Sequence, residues 1–331
     1  MTISIAPALT VEGLTIDIDG ASVVDGVSFS VAAGEVIALV GESGCGKSLT
    51  ALALLGLLPN AAQIVRGRIM LNDIDLVLLP EKQMRRVRGS RISIIFQEAM
   101  ASLDPLMTVG SQIAEAYALH HSVSRSEART KAKDMLVAVG IADSDRRLGQ
   151  YPFELSGGMC QRIMIAIALI CGPRVLVADE PTTALDVTIQ AQILDLMKRL
   201  VAERGTGIVL ITHDMGVVAD IADRVAVMYA GRIAEIAPVN DLFARPGHPY
   251  TALLLAAAPR LDLVPRQLLA TIEGKVPAAG DFGDGCRFAD RCPLADDRCR
   301  VEEPPLVELE RGHRAACWHA GRVDALARSG A

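Results

Sequence analysis

The residues whose types and spacing most clearly predict chemistry form the segment Gly41-Glu42-Ser43-Gly44-Cys45-Gly46-Lys47-Ser48. A glycine, four residues and then Gly-Lys-Ser is the phosphate-binding loop pattern. Its glycines let backbone N–H groups curl around phosphate oxygens. In this pattern Lys47 reaches the β- and γ-phosphates of a nucleoside triphosphate such as ATP, and the Ser48 hydroxyl holds Mg²⁺. The predicted nucleotide contacts are Gly41, Ser43, Gly44, Cys45, Gly46, Lys47, Ser48 and Leu49.

Two regular elements must flank this segment if it is to bind phosphate. The apolar residues 35–40 predict a short buried strand that enters it. Residues 49–58 predict a helix that leaves it, directs its positive end at the phosphates and stops at Pro59. The alternative is a glycine-rich turn that matches the pattern by accident.

A pair of carboxylates forms the second chemical feature. Asp179 and Glu180 end a predicted buried strand at residues 175–180. Parallel sheets place ligand groups at this end of their strands. An aspartate there holds Mg²⁺ through water, and the adjacent glutamate polarises an attacking water. The alternative is a pair of solvated turn carboxylates.

Two further motifs carry weaker signals. Ser156-Gly157-Gly158, at a predicted helix start, is a second anion-binding pattern. Because one nucleotide rarely needs two phosphate cradles, the second must come from another chain if both bind the same ATP. An ordinary helix N-cap is the alternative. His213 follows a predicted strand and could contact a γ-phosphate, although a lone histidine is more often structural.

The seven cysteines fall into two sets. Three are scattered among the nucleotide motifs, and four lie close together in the sequence. Because a cytosolic chain seldom uses disulfides, the second set indicates a metal before it indicates bridges. Four thiolates can hold zinc or a [4Fe–4S] cluster. These four are Cys286, Cys292, Cys299 and Cys317.

The composition argues against several function classes. Of the 331 residues, 51% are hydrophobic but only 3% are aromatic, so we expect an aliphatic core. The net charge of -6 argues against a general nucleic-acid binder. We see no signal peptide, and the longest apolar stretches fall short of the ~20 residues that span a bilayer. We therefore expect a soluble protein that meets a membrane only through a partner.

The predicted elements indicate an α/β fold. Residues 9–33 alternate between apolar and polar around Asp19-Gly20, which predicts an antiparallel hairpin. Strands and helices then alternate around the phosphate loop, which indicates a largely parallel sheet. Residues 105–150 read as a small helical insertion, and residues 224–236 predict a closing hairpin around Ala230-Gly231.

The order of these motifs resembles the nucleotide-binding subunit of ATP-binding-cassette (ABC) transporters. The resemblance covers about residues 9–237. It implies a P-loop ATPase core with an antiparallel β subdomain and a helical signature subdomain. We accordingly expect an ATPase domain at 1–237, its helical insertion at about 105–172, and a C-terminal extension at 238–331. The motifs, in order, are the phosphate loop, Gln97, Leu155-Ser156-Gly157-Gly158, residues 175–180, Ala184-Leu185-Asp186 and His213.

The resemblance implies a role for each motif. Gln97 is expected to sense Mg²⁺ and the membrane subunit, and Glu180 to be the catalytic base. Ser156-Gly157-Gly158 belongs to the signature that caps ATP bound by a second subunit. Asp186 lies in the loop that communicates across the dimer, and His213 is the switch histidine.

This sequence departs from the family pattern at two places. The aromatic residue that usually stacks on adenine is replaced, and Ile16 or Ile18 stands at the expected position. Adenine is then held by apolar contact. Met159 replaces the usual glutamine of the signature, as it does in the peptide-importer branch, and Cys160 is expected on the helix surface.

Several segments resemble the import ATPases for oligopeptides, dipeptides and nickel. They are residues 96–105, 181–188 and 247–261, together with the four-cysteine cluster. In this branch the cysteines imply a [4Fe–4S] cluster, with Zn²⁺ or free structural thiols as the alternatives. His313 and His319 would be replacement ligands for zinc, although solvated surface histidines are the more favoured interpretation.

The resemblance finally implies partners and a location. We expect two membrane permease subunits, a second and homologous ATPase subunit, and an extracytoplasmic solute-binding protein, with no nucleic acid. The protein would lie at the cytoplasmic face of the inner membrane and power peptide import. Import of nickel or another small solute is the alternative, and a non-transport ABC ATPase is a remote one.

Overall fold

The computed structural model describes residues 7–182, 186–258 and 271–323. The chain divides into two compact units, each built from separate stretches of sequence. The first unit contains Met1–Leu9, Val31–Glu35 and Ile74–Leu210. The second unit contains Thr10–Ser30, Val36–Asp73 and Ile211–Ala331.

The strands and helices follow in chain order. The strands are β1 Leu9–Ile18, β2 Ala21–Val31, β3 Val36–Val40, β4 Ala62–Leu71, β5 Ile74–Asp75, β6 Ile92–Ile95, β7 Val175–Asp179, β8 Gly207–Ile211, β9 Arg224–Tyr229, β10 Arg232–Pro238, β11 Val307–Glu310 and β12 His313–Ala315. The helices are α1 Lys47–Leu54, α2 Glu81–Val87, α3 Ala99–Ser102, α4 Val109–Ala118, α5 Arg125–Ala138, α6 Ser144–Arg147, α7 Gly157–Leu169, α8 Val187–Arg204, α9 Met215–Ile221, α10 Val239–Ala244, α11 Pro249–Ala257 and α12 Asp297–Val301.

The second unit contains the predicted antiparallel hairpin. β1 and β2 are neighbours in a sheet ordered β2-β1-β4. Their connection is Asp19-Gly20, with φ angles of 49° and 83°. Positive φ at both positions matches the twist of a two-residue hairpin turn, and Asp-Gly tolerates it. The prediction of this hairpin is confirmed.

A second sheet in this unit carries the phosphate loop. Its strands are ordered β11-β12-β10-β9-β3. β3 is parallel to β9, and β9 and β10 form the predicted hairpin around Ala230-Gly231. β10 also pairs with β12 of the C-terminal extension, with Glu235 opposite Ala315. The extension is therefore continuous with this sheet.

The first unit contains three strands ordered β8-β7-β6 and the helical region. β6 and β7 are parallel, as predicted for an α/β core. Helices α4 and α5 pack on α7. Ser124 caps the N-terminus of α5, because its Oγ accepts the Glu127 backbone N–H at 3.2 Å. No helix among the described residues is long and apolar enough to cross a membrane.

The helix after the phosphate loop is shorter than predicted. α1 ends at Leu54 rather than at residue 58. Gly56 adopts the left-handed conformation with φ 60°, and its N–H donates to the Ala53 carbonyl. A glycine in this conformation ends a helix by satisfying its last carbonyls. Gly56 therefore terminates α1, and the prediction that Pro59 ends this helix is wrong.

Candidate nucleotide site and cysteine cluster

The phosphate loop connects β3 to α1 and is closed by its own lysine. The Lys47 ammonium donates to the carbonyls of Gly41 at 2.8 Å and Glu42 at 2.9 Å. Its side chain runs through the loop, so that only 7% of Lys47 is exposed. Ser43, Gly44 and Ser48 are exposed at the rim. The cation therefore lies beneath a rim of exposed residues that phosphate could approach.

Two loop glycines are required by close contacts within the second unit. A Cβ on Gly41 would lie 2.2 Å from the Met228 carbonyl oxygen at the end of β9. Gly46 has φ 100°, and a Cβ there would meet Val24 Cγ2 at 2.9 Å. The loop is therefore seated tightly on β9 and β2, and a larger residue at either position would displace it.

In the first unit, two of the predicted catalytic residues are in contact. Gln97 Nε2 donates to Glu180 Oε2 at 2.9 Å. The strand register explains this contact, because Ile95 of β6 is aligned with Ala178 of β7. Gln97 and Glu180 each lie two residues beyond that pair. Glu180 also has φ 47°, a strained conformation that is common at functional sites.

Asp179 and His213 each follow the sequence prediction in their local position. Asp179 is the last residue of β7 and is partly exposed. His213 lies two residues beyond β8 and is exposed, in the second unit. Asp214 beside it caps α9 by accepting the Gly216 N–H at 2.8 Å. The roles of Asp179 and His213 stay predictions.

The signature residues form the N-terminus of α7. Ser156 Oγ accepts the Met159 N–H at 3.4 Å, which caps the helix. A Cβ on Gly158 would meet Ile189 Cγ2 of α8 at 2.9 Å, so packing within the unit accounts for this glycine. A Cβ on Gly157 would meet no heavy atom of the described residues within 4 Å. Packing within the described part of the chain therefore leaves room for a side chain at position 157.

Three other predictions meet different outcomes. The prediction that Cys160 lies on the helix surface is wrong, because Cys160 is fully buried and its thiol lies 3.5 Å from the Pro152 carbonyl oxygen. Burial raises the pKa of the Cys160 thiol, so the thiol is unreactive.

Ala184 and Leu185 lie outside the described residues, whereas Asp186 caps α8 by accepting the Ile189 N–H at 3.0 Å. Ile16 is buried in β1, which leaves Ile18, partly exposed, as the candidate for contact with adenine.

The four cysteines of the extension line one pocket. Trp318 and His319 also line it. Burial, with a smaller contribution from neighbouring thiols, raises the pKa of the Cys286 thiol to about 12 and that of Cys317 to about 11. A bound cation reverses this effect, because a coordinating thiol is deprotonated outright. Thiolates are ligands that zinc and iron–sulfur clusters take, and four thiols line this pocket, although among the described residues only the thiol of Cys299 belongs to a group of ligand atoms within 4.8 Å of one another. The thiols are those of Cys286, Cys292, Cys299 and Cys317.

Comparison with known proteins identifies the family. A family model described as "ABC transporter" matches residues 24–183, and one described as "Oligopeptide/dipeptide transporter, C-terminal region" matches residues 234–299. The chain is 54% identical to the Probable peptide ABC transporter ATP-binding protein y4tR of Sinorhizobium fredii, over 90% of this chain and 89% of that protein. This chain belongs to the ATP-binding subunits of ABC transporters.

Other members support the same assignment. The Oligopeptide transport ATP-binding protein AppD of Bacillus subtilis is 49% identical, over 89% of this chain and 90% of its own length. A solved dimeric structure of an ATP-binding cassette, MJ0796, in a post-hydrolysis state bound to ADP and Pi has a TM-score of 0.63 and 26% identity. The structural match covers 70% of this chain and 98% of the solved cassette. As an ABC subunit, the chain is an ATPase that acts in transport.

The ABC subunit also contains a buried ionic network that the sequence analysis missed. Glu235 of β10 is 0% exposed. Its carboxylate accepts the backbone N–H groups of Gly247 at 2.7 Å and His248 at 2.9 Å. His313 Nε2 lies 2.7 Å from the same carboxylate. The interpretation of His313 as a solvated surface histidine is therefore wrong. The sequence did contain a signal for this network, because Glu235 is a charged residue within the largely apolar strand pattern of residues 232–236.

His319 has a different environment from His313. It lines the cysteine pocket, and its Nε2 lies 3.0 Å from Asp296 Oδ2. Three potential ligand atoms lie within 4.8 Å of one another: a carboxylate oxygen of Asp296, Sγ of Cys299 and a ring nitrogen of His319. Of the two histidines proposed as replacement zinc ligands, only His319 is therefore positioned for that role. His313 is engaged by Glu235.

Replacing His313 with glutamine is expected to destabilise the fold by about 3 kcal/mol, because it leaves the charge of Glu235 buried without its ionic partner. The hydrogen bond with Glu235 raises the pKa of His313. A group whose pKa is raised by folding contributes stability that is present below its unfolded pKa and is lost as pH rises through the folded pKa. Urea unfolding of the wild type should show this loss with rising pH, and H313Q should not.

His121→Gln is the control for this prediction. His121 is exposed and stacks on Tyr117 in the helical region. We expect its substitution to change the unfolding free energy by less than about 0.5 kcal/mol. Equal stability of H313Q and H121Q would contradict the ionic network as a stabilising element.

Proposed function

We propose that this chain is the ATP-hydrolysing subunit of an importer that carries peptides across the cytoplasmic membrane. The observation that carries the proposal is the likeness to y4tR over 90% of the chain, including the extension. The relatives AppD and DppD of Bacillus subtilis carry oligopeptide and dipeptide transport in their names. Dipeptides or oligopeptides are thus the proposed cargo class.

We propose that the phosphate loop binds the ATP phosphates. Lys47 is the cation beneath the loop rim, and from its place against the loop carbonyls it would reach the β- and γ-phosphates. Ser48 and Asp179, with Gln97, are the proposed ligands that orient Mg²⁺. When bound, Mg²⁺ would neutralise charge on the phosphate oxygens.

The proposed catalytic base is Glu180. Its carboxylate would orient the attacking water and receive its proton. The hydrogen bond from Gln97 to Glu180 supports this role, because it holds the carboxylate in one orientation. Removal of that bond, by rotation of Gln97, would free the carboxylate. His213 is proposed to contact the γ-phosphate after β8.

A second ATPase subunit is proposed to complete the site. Ser156, Gly157 and Gly158 would cap ATP held by the partner, and Asp186 would contribute to communication between the two. The space beside Gly157 supports this proposal, because a Cβ there would meet no heavy atom of the described residues within 4 Å and another chain could approach. The partner is proposed to be homologous rather than identical.

The proposed membrane partners are two permease subunits that dock on the helical region. Several large apolar side chains are exposed there, and Leu106 is 86% exposed. Tyr151 and Phe153 are also exposed and stack with ring centroids 5.5 Å apart. Exposed apolar side chains mark interaction sites where they form a contiguous patch, and the stacked pair of Tyr151 and Phe153 is the proposed start of one. The chain would lie at the cytoplasmic face of the membrane, and an extracytoplasmic binding protein would deliver the cargo.

We propose that the four cysteines hold a [4Fe–4S] cluster, with Zn²⁺ as the alternative. Their convergence on one pocket supports a metal site of either kind. Either group would cross-link a small segment that has little core of its own.

The metal proposal predicts a composition. Anaerobically purified protein should contain about four iron and four sulfide per chain by elemental and sulfide analysis. Cys292→Ser should lose most of both, whereas Cys171→Ser, outside the extension, should retain them. One zinc and no sulfide would establish the alternative, and neither metal in the wild type would contradict both.

The transport proposal is tested on the native membrane complex. The complex should contain permease chains and a second ATPase chain, and its ATP hydrolysis should be stimulated by binding protein loaded with a peptide mixture. Stimulation by nickel or another solute instead would overturn the peptide cargo but keep the importer. Absence of membrane partners would overturn the importer and favour a non-transport ABC ATPase.

A further inference from the structure

We infer that the C-terminal extension is a structural part of the ATP site, and that Arg291 and Tyr250 position the phosphate loop for nucleotide binding. The inference rests on the proposed function of that loop as the ATP site. It assigns the extension a role in ATP affinity.

The principal contact is a bidentate ion pair between Arg291 and Glu42 of the phosphate loop. Arg291 Nη1 lies 2.6 Å from Glu42 Oε2, and Nη2 lies 3.0 Å from Oε1. Two parallel hydrogen bonds from a planar guanidinium set both the distance and the orientation of the carboxylate. The partners are 249 positions apart in the sequence. The extension thus reaches back to the first turn of the loop.

The guanidinium of Arg291 is itself held in place. Its Nε donates to the Glu273 carbonyl at 2.8 Å, and its Nη2 donates to the Ile272 carbonyl at 3.2 Å. Nη1 also lies 3.3 Å from the Tyr229 hydroxyl. The side chain is only 5% exposed. A buried arginine with this many partners has one orientation, so it can act as a fixed support for Glu42.

Tyr250 holds the backbone at the same loop residue. The Glu42 N–H donates to the Tyr250 hydroxyl at 2.9 Å. The Tyr250 ring is fully buried, with its centroid 4.7 Å from that of Tyr229 and 5.4 Å from that of Phe288. The chain has only six Phe, four Tyr and one Trp, and three of these eleven residues form the cluster beside the loop.

The contacts continue from Glu42 to the proposed phosphate ligand. The Glu42 carbonyl accepts from the Lys47 ammonium at 2.9 Å. Arg291 and Tyr250 therefore fix the side chain and the N–H of a residue whose carbonyl contacts Lys47. Such pre-organisation lowers the cost of ordering the loop on binding. Its loss should weaken ATP affinity and leave the chemical step largely intact.

The test compares Arg291→Gln with Arg287→Gln in the full chain. Arg287 is also a buried arginine of the extension, 8% exposed, and pairs with Asp25 of β2 at 2.6 Å. Binding of a non-hydrolysable ATP analogue with Mg²⁺ should be about 10- to 100-fold weaker in R291Q and within about threefold of wild type in R287Q. At saturating ATP, the kcat of R291Q should stay within about threefold of wild type, so that the effect lies in KM.

Three further variants complete the test. Adding Glu42→Gln to R291Q should weaken binding little further, because the two side chains act as one unit. Arg291→Lys keeps the positive charge but cannot make the bidentate pair with Glu42, so it should weaken ATP binding to an intermediate extent. This variant is measured in place of R291Q if R291Q does not fold. Lys47→Ala tests the ATP site itself.

Each outcome bears on a separate claim. Wild-type affinity in a folded R291Q or R291K, or equal weakening in R287Q, would overturn the inference and reduce the ion pair to a general stabiliser. Wild-type affinity in Lys47→Ala would instead overturn the loop as the ATP site, and with it the function on which the inference rests.

Discussion

Replacing Glu180 with glutamine is expected to lower the rate of ATP hydrolysis by about 10²- to 10⁴-fold, the usual contribution of a general base. The amide keeps the shape of the side chain and its ability to accept a hydrogen bond from Gln97 Nε2. It cannot take a proton from the attacking water. ATP affinity should therefore change little. Steady-state hydrolysis by the reconstituted complex and equilibrium ATP binding measure the two effects separately.

The same variant should accumulate ATP-bound dimers if, as proposed, two ATPase subunits share the bound ATP and separate when it is hydrolysed. Size-exclusion chromatography with Mg·ATP measures this accumulation. Glu127→Gln is a matched control, since Glu127 is an exposed carboxylate at the start of α5 and should keep the wild-type rate. Hydrolysis by E180Q near the wild-type rate would exclude Glu180 as the base.

Replacing Lys47 with alanine is expected to weaken ATP binding by about 100-fold or more, because a charge-assisted contact to phosphate is worth about 1.5–3 kcal/mol and the loop also loses its internal bonds. The ammonium bonds to two loop carbonyls, so its removal leaves both without this donor. Isothermal titration of the ATP analogue measures affinity, and thermal unfolding measures the accompanying loss of stability.

Lys133→Ala is the control for the lysine variant. Lys133 makes an exposed ion pair with Asp145 at 2.7 Å in the helical region. Surface ion pairs contribute about 0–1 kcal/mol, so both ATP affinity and stability should stay close to wild type. If K47A and K133A bound ATP equally well, the phosphate loop could not be the ATP site.

The extension and the phosphate loop belong to one compact unit, which gives the proposed cysteine cluster a structural context. Arg291 directly precedes Cys292, and β10 pairs with β12 on the same sheet that carries β3. A buried carboxylate, Glu235, joins β10 to the extension through Gly247 and His313. Cross-linking the four cysteines would hold the segment from which Arg291 reaches Glu42.

The sequence by itself determined the local features of this protein. The phosphate loop, the strand before it and the two-residue hairpin turns follow from short patterns. Such patterns report backbone preferences and burial periodicity over a few residues. Even here a local signal was misjudged, because Gly56 ends α1 before Pro59 can.

Only the tertiary structure decided which distant residues meet. The register of β6 and β7 brings Gln97 to Glu180, and the fold of the extension brings four spaced cysteines to one pocket. It also joins Arg291 to Glu42 and buries Glu235 with His313. The physical reason is that such pairs depend on how whole elements pack, and charged residues read as surface residues until their partners are known.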